Sequence, residues 1–344
     1  MATVDVTVRG AGVFGLSVAW ACLTAGATVR VIDPNGVGSG ASGGIVGALA
    51  PHVPEQWNPK KAFQLESLLM AENWWGEVDV AGGLASGYGR TGRLQPIASE
   101  AGVALAKDRI AGAMTHWQDR AIWEIIQAPS AFAPHSLTGL YIHDTLTARL
   151  HPAQGCAALA AAVLARGGEV VMDAPDEGAV VWATGWQGLE HLTNQHTRMV
   201  GAGIKGQAVL LDYDARTSPQ LFVDGLHIIP HADGTTAIGS TTEREFDDPT
   251  STDTQCDALV AKARAAVPVL QDAHEICRWA GVRPRARTRA PMLGAHPFRN
   301  GEFIANGGFK IGFGMAPLAA DKLAQFILRG DNTIPTDFDP QASL

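Results

Sequence analysis

Residues 3–33 restrict the fold more than any other part of the chain. They set a strand, a glycine turn, a helix and a second strand closed by an acid in a fixed order. Val4, Val6 and Val8 alternate with Asp5 and Thr7, so Thr3–Val8 reads as a strand. Gly10-Ala11-Gly12-Val13-Phe14-Gly15 then spells G-x-G-x-x-G. Leu16–Ala25 reads as a helix of small and apolar residues, and Gly26 stands where a left-handed cap is wanted. Thr28–Ile32 is the second strand, and Asp33 ends it, 18 residues after Gly15. Gly10 permits the tight turn, Gly12 admits a pyrophosphate close to the backbone, and Gly15 lets the helix sit near the strand. The helix start offers free N–H groups and a positive dipole end to phosphate, and Asp33 is placed to accept from ribose hydroxyls. The pattern predicts a dinucleotide site; the competing reading is a βαβ unit with incidental glycines. The acid favours NAD or FAD over NADP without choosing between them.

Composition bounds what surrounds this unit. A chain of 344 residues suggests about two domains. With 46% hydrophobic and 17% charged residues it can bury a core, which excludes disorder. The 26 Lys+Arg against 34 Asp+Glu, a net charge of −8, argue against a basic nucleic-acid binder. Cys22, Cys156, Cys256 and Cys277 form no C-x-x-C pair and have no histidines at ligand spacing. Neither a disulfide framework nor a metal site is expected, and a reducing cytoplasm is the expected location. No uninterrupted run of about 18 apolar residues predicts a membrane span. Residues 10–25 are as apolar as a signal-peptide core, but no basic segment precedes them and glycines punctuate them.

Gly36–Pro51, G-V-G-S-G-A-S-G-G-I-V-G-A-L-A-P, decides between the dinucleotides. Such a run is no regular helix or strand throughout; it reads as a loop that follows a ligand along its length. It suits a larger, flat cofactor better than NAD, after whose acid an ordinary helix and strand continue. Its part ASGGIVGALAP at Ala41–Pro51 is followed in order by four more segments, IKGQ at Ile204–Gln207, IIPHADGTTAIGST at Ile228–Thr241, AGVRPRARTRAPMLG at Ala280–Gly294 and NGGFKIGFGMAP at Asn306–Pro317, while ATGW at Ala183–Trp186 reads as a strand and glycine turn that return to the cofactor. Together with GAGVFG and Asp33 they make the chain resemble the FAD-dependent oxidoreductases of the D-amino-acid oxidase superfamily, most of all its glycine oxidase branch. The resemblance covers most of the chain.

It implies non-covalent FAD and a set of roles. Gly10, Gly12, Val13, Phe14, Gly15, Asp33 and Pro34 would hold the adenosine and pyrophosphate end. Ala41, Ser42 and Gly43 would line the pyrophosphate and ribityl chain, and Gly47, Ala48 and Leu49 would run beside the flavin ring. Val171 would make the adenine-side backbone contact. Thr184, Gly185 and Trp186 would form the returning turn, and Gly312, Phe313, Gly314 and Met315 would meet the pyrimidine edge. Pro317 would open a C-terminal helix, Pro317–Arg329, with its N-terminus toward the flavin. One departure stands out: relatives carry a three-stranded meander after a strand like Glu169–Met172, and here only Asp173–Gly178 intervene.

The implied fold is α/β, or α+β in two domains: a Rossmann-like FAD-binding domain and a mostly antiparallel substrate-domain sheet. The expected division is 1–80 with 145–205 and 280–344 against 81–144 with 206–279. Tyr88–Ala98, Leu137–His143, Gln220–Val223, Leu226–Pro230 and Thr236–Ser240 read as sheet strands, and Asn58–Val78 and Cys256–Val267 as helices. Amine oxidation by a flavin needs the substrate carbon fixed over the ring and the amine neutral, and a cation for the carboxylate of an amino acid. The resemblance puts Arg283 in that role, its planar fork suited to a carboxylate, and Lys310 where relatives often place a second Arg. His52, directly after the flavin loop, and His231 are further candidates for the substrate pocket. Arg283, Arg285, Arg287 and Arg289 recur every second residue, as on one face of a strand. They read as a solvated face, as a site for a substrate with more than one anionic group, or as a site for RNA phosphate. Trp74, Trp75 and Trp182, and in its local context Trp186, read as core. The expected function is C–N oxidation of a small amine or amino acid by hydride transfer, with oxygen or a quinone as acceptor. The alternatives are oxidation of a modified tRNA wobble uridine and a partner-dependent flavin subunit.

Overall fold

A computed structural model of the chain describes residues 4–127 and 131–344. Thr3, where the first strand was expected to start, lies outside them. The N-terminal half contains β1 (Val6–Arg9), α1 (Val13–Thr24), β2 (Val29–Ile32), β3 (Ala48–Leu49), α2 (Pro59–Gly82), β4 (Arg93–Pro96), α3 (Glu100–His116), β5 (Trp123–Gln127), β6 (Leu140–Asp144) and β7 (Ala148–Arg149). Then come α4 (Pro152–Ala165), β8 (Glu169–Val171), β9 (Ala179–Trp182), α5 (Gly185–Asn194), β10 (Gly201–Asp212), β11 (Gln220–Val223), β12 (Leu226–Pro230) and β13 (Thr236–Gly239). The chain closes with α6 (Gln255–Ala266), β14 (His274–Ala286), β15 (Met292–Ala295), β16 (Phe303–Asn306) and α7 (Gly312–Arg329).

Two large sheets organise these elements. The first runs β15-β16-β9-β1-β2-β8, parallel except for the β15–β16 hairpin. Its central strands are buried on both faces, which is why Val6, Val8, Val29 and Val31 sit at 0–3% exposure. The glycines of the opening motif account for how α1 crosses β1. Gly10 has φ +110°, and a Cβ there would lie 2.3 Å from the Ala183 carbonyl oxygen. A Cβ on Gly15 would lie 1.9 Å from the Gly10 carbonyl oxygen. Strand β8 leads through residues 173–178 straight into β9, so the expected short connection is present in place of a meander.

The second sheet runs β14-β10-β13-β12-β11-β4-β6-β5, antiparallel except for β11 beside β4. Alternation divides its faces. Leu221, Ile228, Ile238 and Val209 enter a core with Val260 and Ala263 of α6. Their neighbours Phe222, His227 and Ala208 face a cavity between the sheets. Strands β10 and β14 run without a break through the expected boundaries at 205 and 280, and α2 through that at 80.

Three helix ends depart from expectation: α1 begins at Val13 rather than Leu16, and α2 and α7 also differ. Asn58 caps α2 by accepting from Lys61 N–H at 3.1 Å, but the helix continues past Val78 to Gly82. Helix α7 begins at Gly312, so Pro317 lies inside it rather than in its first turn. The glycines there look like loop, yet Gly314 packs on Leu68 and Leu49, and Phe313 lies 6.3 Å from Trp75 ring to ring. Packing offsets their poor helix propensity.

Candidate active site

The cavity between the sheets measures about 1080 Å³, just above the roughly 300–1,000 Å³ of ordinary ligand sites. One end is built by the opening motif. Asp33 closes β2 with both carboxylate oxygens oriented: one accepts from Ala11 N–H at 2.8 Å, the other from Asn35 N–H at 2.9 Å. The N-terminus of α1 follows, where Ser42 Oγ accepts from Val13 N–H at 3.0 Å. A Cβ on Gly12 would crowd that same Oγ at 3.1 Å. Farther along, Gly312 and Phe313 bring the start of α7 to the wall. Two helix N-termini and an oriented carboxylate along one cavity match the donor and acceptor set of a dinucleotide whose second ring carries negative charge.

Of the residues expected at the cofactor, Gly10, Gly12, Val13, Phe14, Asp33, Pro34, Ala41, Ser42, Gly47, Ala48, Thr184, Gly185, Trp186, Gly312 and Phe313 line the cavity. The others lie behind its wall. Gly15 is pressed under the Gly10 carbonyl, and Gly43 fills a close approach to the Gly38 carbonyl. Leu49 and Met315 are core residues at 1% and 0% exposure, and Gly314 packs beside Leu68. The Val171 carbonyl accepts from Asp33 N–H at 3.0 Å and so positions the acid. Trp182 and Trp186, read as core, stand in the cavity wall; Trp74 and Trp75 are buried.

At the other end Arg283 reaches across β10. Its Nη1 donates to Ser240 Oγ at 2.6 Å, and its Nη2 to the carbonyls of Lys205 at 3.1 Å and Thr241 at 2.7 Å. Nη2 has two protons and two acceptors, so neither two-nitrogen edge of the fork is free. Nε is buried without a partner, and burial pushes the guanidinium down to about 10. Lys310 stands near it, more exposed, donating to Thr242 Oγ1 at 3.1 Å. Burial, and then Arg283, lower its ammonium. Both cations contact the Phe309 ring at 5.7 Å.

His52 also lines the cavity, its backbone N–H donating to Gln64 Oε1 at 2.8 Å, with burial lowering its imidazole. His231 does not line it. It is 1% exposed and donates Nε2–H to the Ile45 carbonyl at 2.8 Å, tying the flavin loop to β12. Burial pushes it down to about 4. The arginine row divides where β14 ends at Ala286: Arg283 and Arg285 stay on the strand, both 5.7 Å from the Phe309 ring, and the two beyond leave it. Arg283 lines the cavity, Arg287 donates to the Ser343 carbonyl at 3.1 Å, and Arg289 takes φ +62° in the turn beyond. Motif reading missed Arg93, Phe222, His227 and Trp279, which share the sheet wall. Only strand register unites them.

A sequence profile described as "DAO: FAD dependent oxidoreductase" matches residues 5–326. The chain belongs to this family of FAD-dependent oxidoreductases. FAD is therefore its cofactor, and the cavity has the volume, helix ends and acid to hold it. A glycine oxidase of Pseudomonas aeruginosa is 32% identical over 143 residues, which span 41% of this chain and 39% of that protein. One from Bacillus licheniformis is 24% identical over 361 residues, 97% of this chain and 95% of that protein. Among solved structures, the fold is similar to glycine oxidase from Geobacillus kaustophilus, with a TM-score of 0.84, 20% identity, and 97% of each chain covered. It is also similar to iminodiacetate oxidase from Chelativorans sp. BNC1, with a TM-score of 0.85, 20% identity, 98% of this chain and 99% of the other. Among the described residues of this oxidoreductase, no helix is long and apolar enough to cross a membrane.

Proposed function

We propose that this oxidoreductase oxidises the C–N bond of a small amino acid, with oxygen or a quinone as final electron acceptor. The carrying observation is Arg283. It is a half-buried cation on the cavity wall, held on Ser240, with Glu243 as its one source of negative charge among the causes acting on it. A substrate carboxylate adds to that charge. The full fork edge expected from the resemblance is not available, so Arg283 gives single contacts and Lys310, with protons beyond the one on Thr242, completes the site. Gln64 steadies the adjoining wall: its Oε1 accepts from His52 and its Nε2 donates to the Ala50 carbonyl at 3.3 Å. The chemistry FAD supplies when bound is acceptance of hydride from the carbon bearing nitrogen. The chain's own residues hold that carbon in place and keep the pocket walls close around it.

The glycine oxidase and iminodiacetate oxidase named above lend this reading their substrate class. Anaerobic addition of amino acids to the purified yellow protein tests it. Bleaching by an amino acid, and none by the amine lacking its carboxylate, is the expected result. Flavin absorbance unmoved by any amino acid would overturn it.

A further inference from the structure

The sheet wall carries a third cation that the reading above does not use. In register across the strands, Arg93 of β4 lies beside Gln220 of β11, Phe222 opposite His227 of β12, and His227 opposite Gly239 of β13. Arg93, Phe222 and His227 thus share the face that lines the cavity. Arg93 is 6% exposed. Its Nε and Nη2 both reach Asp144 Oδ2 at 2.9 Å. Asp144 is wholly buried, and its Oδ1 accepts from Thr147 N–H at 2.8 Å. Asp144 fixes the guanidinium by its Nε–Nη2 edge; Arg93 lines the cavity, with Cζ 6.0 Å from the Phe222 ring. Among the described lining residues the one acid is Asp33, at the cofactor's far end. The substrate end therefore presents Arg283, Lys310 and Arg93 with no acid in its lining; Asp144 pairs with Arg93, and Glu243 acts on Arg283, from outside that lining.

We infer that the substrate is a dianion: an amino acid with a second carboxylate, held by Arg283 and Lys310 at one end and by Arg93 at the other. This rests on the amino-acid oxidation proposed above and names its substrate class. The Arg283 head lies on Ser240 at the end of β13, three strand spacings, about 14 Å, across the sheet from β4. Arg93 is also set back along the strands by about three residues, roughly 10 Å, so the two side chains hold one substrate by reaching toward each other, Arg283 to Ser240 and Arg93 over Phe222. His227 lies between them and stays neutral, since burial and then Arg93 and Lys310 push it down to about 3. It adds no charge to compete for the anion.

Glutarate and butyrate, which lack an amine, test the site without turnover, read by the shift they cause in the flavin spectrum of the holoenzyme. Wild type is expected to bind glutarate at least about tenfold more tightly than butyrate, as one charge-assisted hydrogen bond allows. Arg93→Gln alone would strand a buried Asp144, so the test variant is Arg93→Gln with Asp144→Asn. It should bring the two affinities within about twofold, with butyrate binding reporting that the rest of the pocket survives. A second variant, Arg93→Lys, keeps the charge and should keep part of the preference. Equal affinities in wild type, or a preference that survives in the double variant, would overturn the inference. Turnover of glutamate against N-carboxymethylglycine then shows whether the second carboxylate sits on the side chain or on nitrogen. A glutarate site that depends on Arg93 in a protein that oxidises no amino acid would retain this site and sink the amino-acid reading alone.

Discussion

Gly206 has no side chain where the Arg283 guanidinium needs the room: a Cβ there would lie 2.0 Å from Nη2. The obstacle is the tip of a flexible side chain, so Gly206→Ala should move the guanidinium at little cost to the fold. The expected result is a raised KM for the amino acid, with a melting temperature changed by a few degrees at most. An unchanged KM would mean that the guanidinium's position is irrelevant to the substrate. Arg283→Ala removes the cation itself and should lower kcat/KM by about 10- to 100-fold, mostly through KM. Equal kcat/KM in variant and wild type would remove Arg283 from the site. Arg283 and Lys310 were legible because each sits inside a local motif, AGVRP and GGFKIG. Arg93 was not: its neighbours Gln220 and Phe222 are far away in the chain, and only the parallel pairing of β4 with β11 unites them. Trp182 read as core for a similar reason, since hydrophobicity does not distinguish a buried face from a cavity wall.

At the scale of elements, the order of the opening βαβ unit was legible, with element bounds within about three residues, because its constraints are local and steric. Helix α7 was misread at its start because its glycines and Pro317 carry loop-like local signals, and the packing on Leu49, Leu68 and Trp75 that winds them comes from residues some 240–265 positions earlier. The contact between α1 and β1 gives the sharper test. A methyl on Gly15 would meet backbone, the Gly10 carbonyl oxygen at 1.9 Å, and backbone cannot turn aside as a side-chain tip can. Gly15→Ala should therefore push α1 off β1, cost at least the roughly 1–3 kcal/mol of an overpacked core, and strip FAD by shifting the N–H groups that face it. Purified variant that keeps full flavin content and the wild-type melting temperature would contradict this account.

For the molecule as a whole, three histidines tie stability to pH: His231 and His296, which are buried, and His227, which is half-buried at the cavity. Burial pushes His231 and His296 down to about 4 and His227 down to about 3, against an ordinary value of 6.5. All three are neutral in the folded protein at neutral pH. As the pH falls below about 6.5, the unfolded chain takes up protons there that the folded protein refuses until about 4. The unfolded state then binds more protons, so stability must fall with pH across that window, and the loss is complete once the folded values are passed. His227 and His231 belong to the eight-stranded sheet, while His296 directly follows β15 of the six-stranded sheet. If the two sheets melt together, one transition carries the protons of all three residues. His231→Gln, which keeps a donor for the Ile45 carbonyl, and His296→Gln should then each flatten that transition's pH dependence. The change expected is about 1.4 kcal/mol per pH unit near pH 5, one proton's share. Urea denaturation at pH 7, 6 and 5 measures this. Should His296→Gln leave the first transition's slope untouched while His231→Gln flattens it, the sheets unfold separately, in spite of the cavity they share.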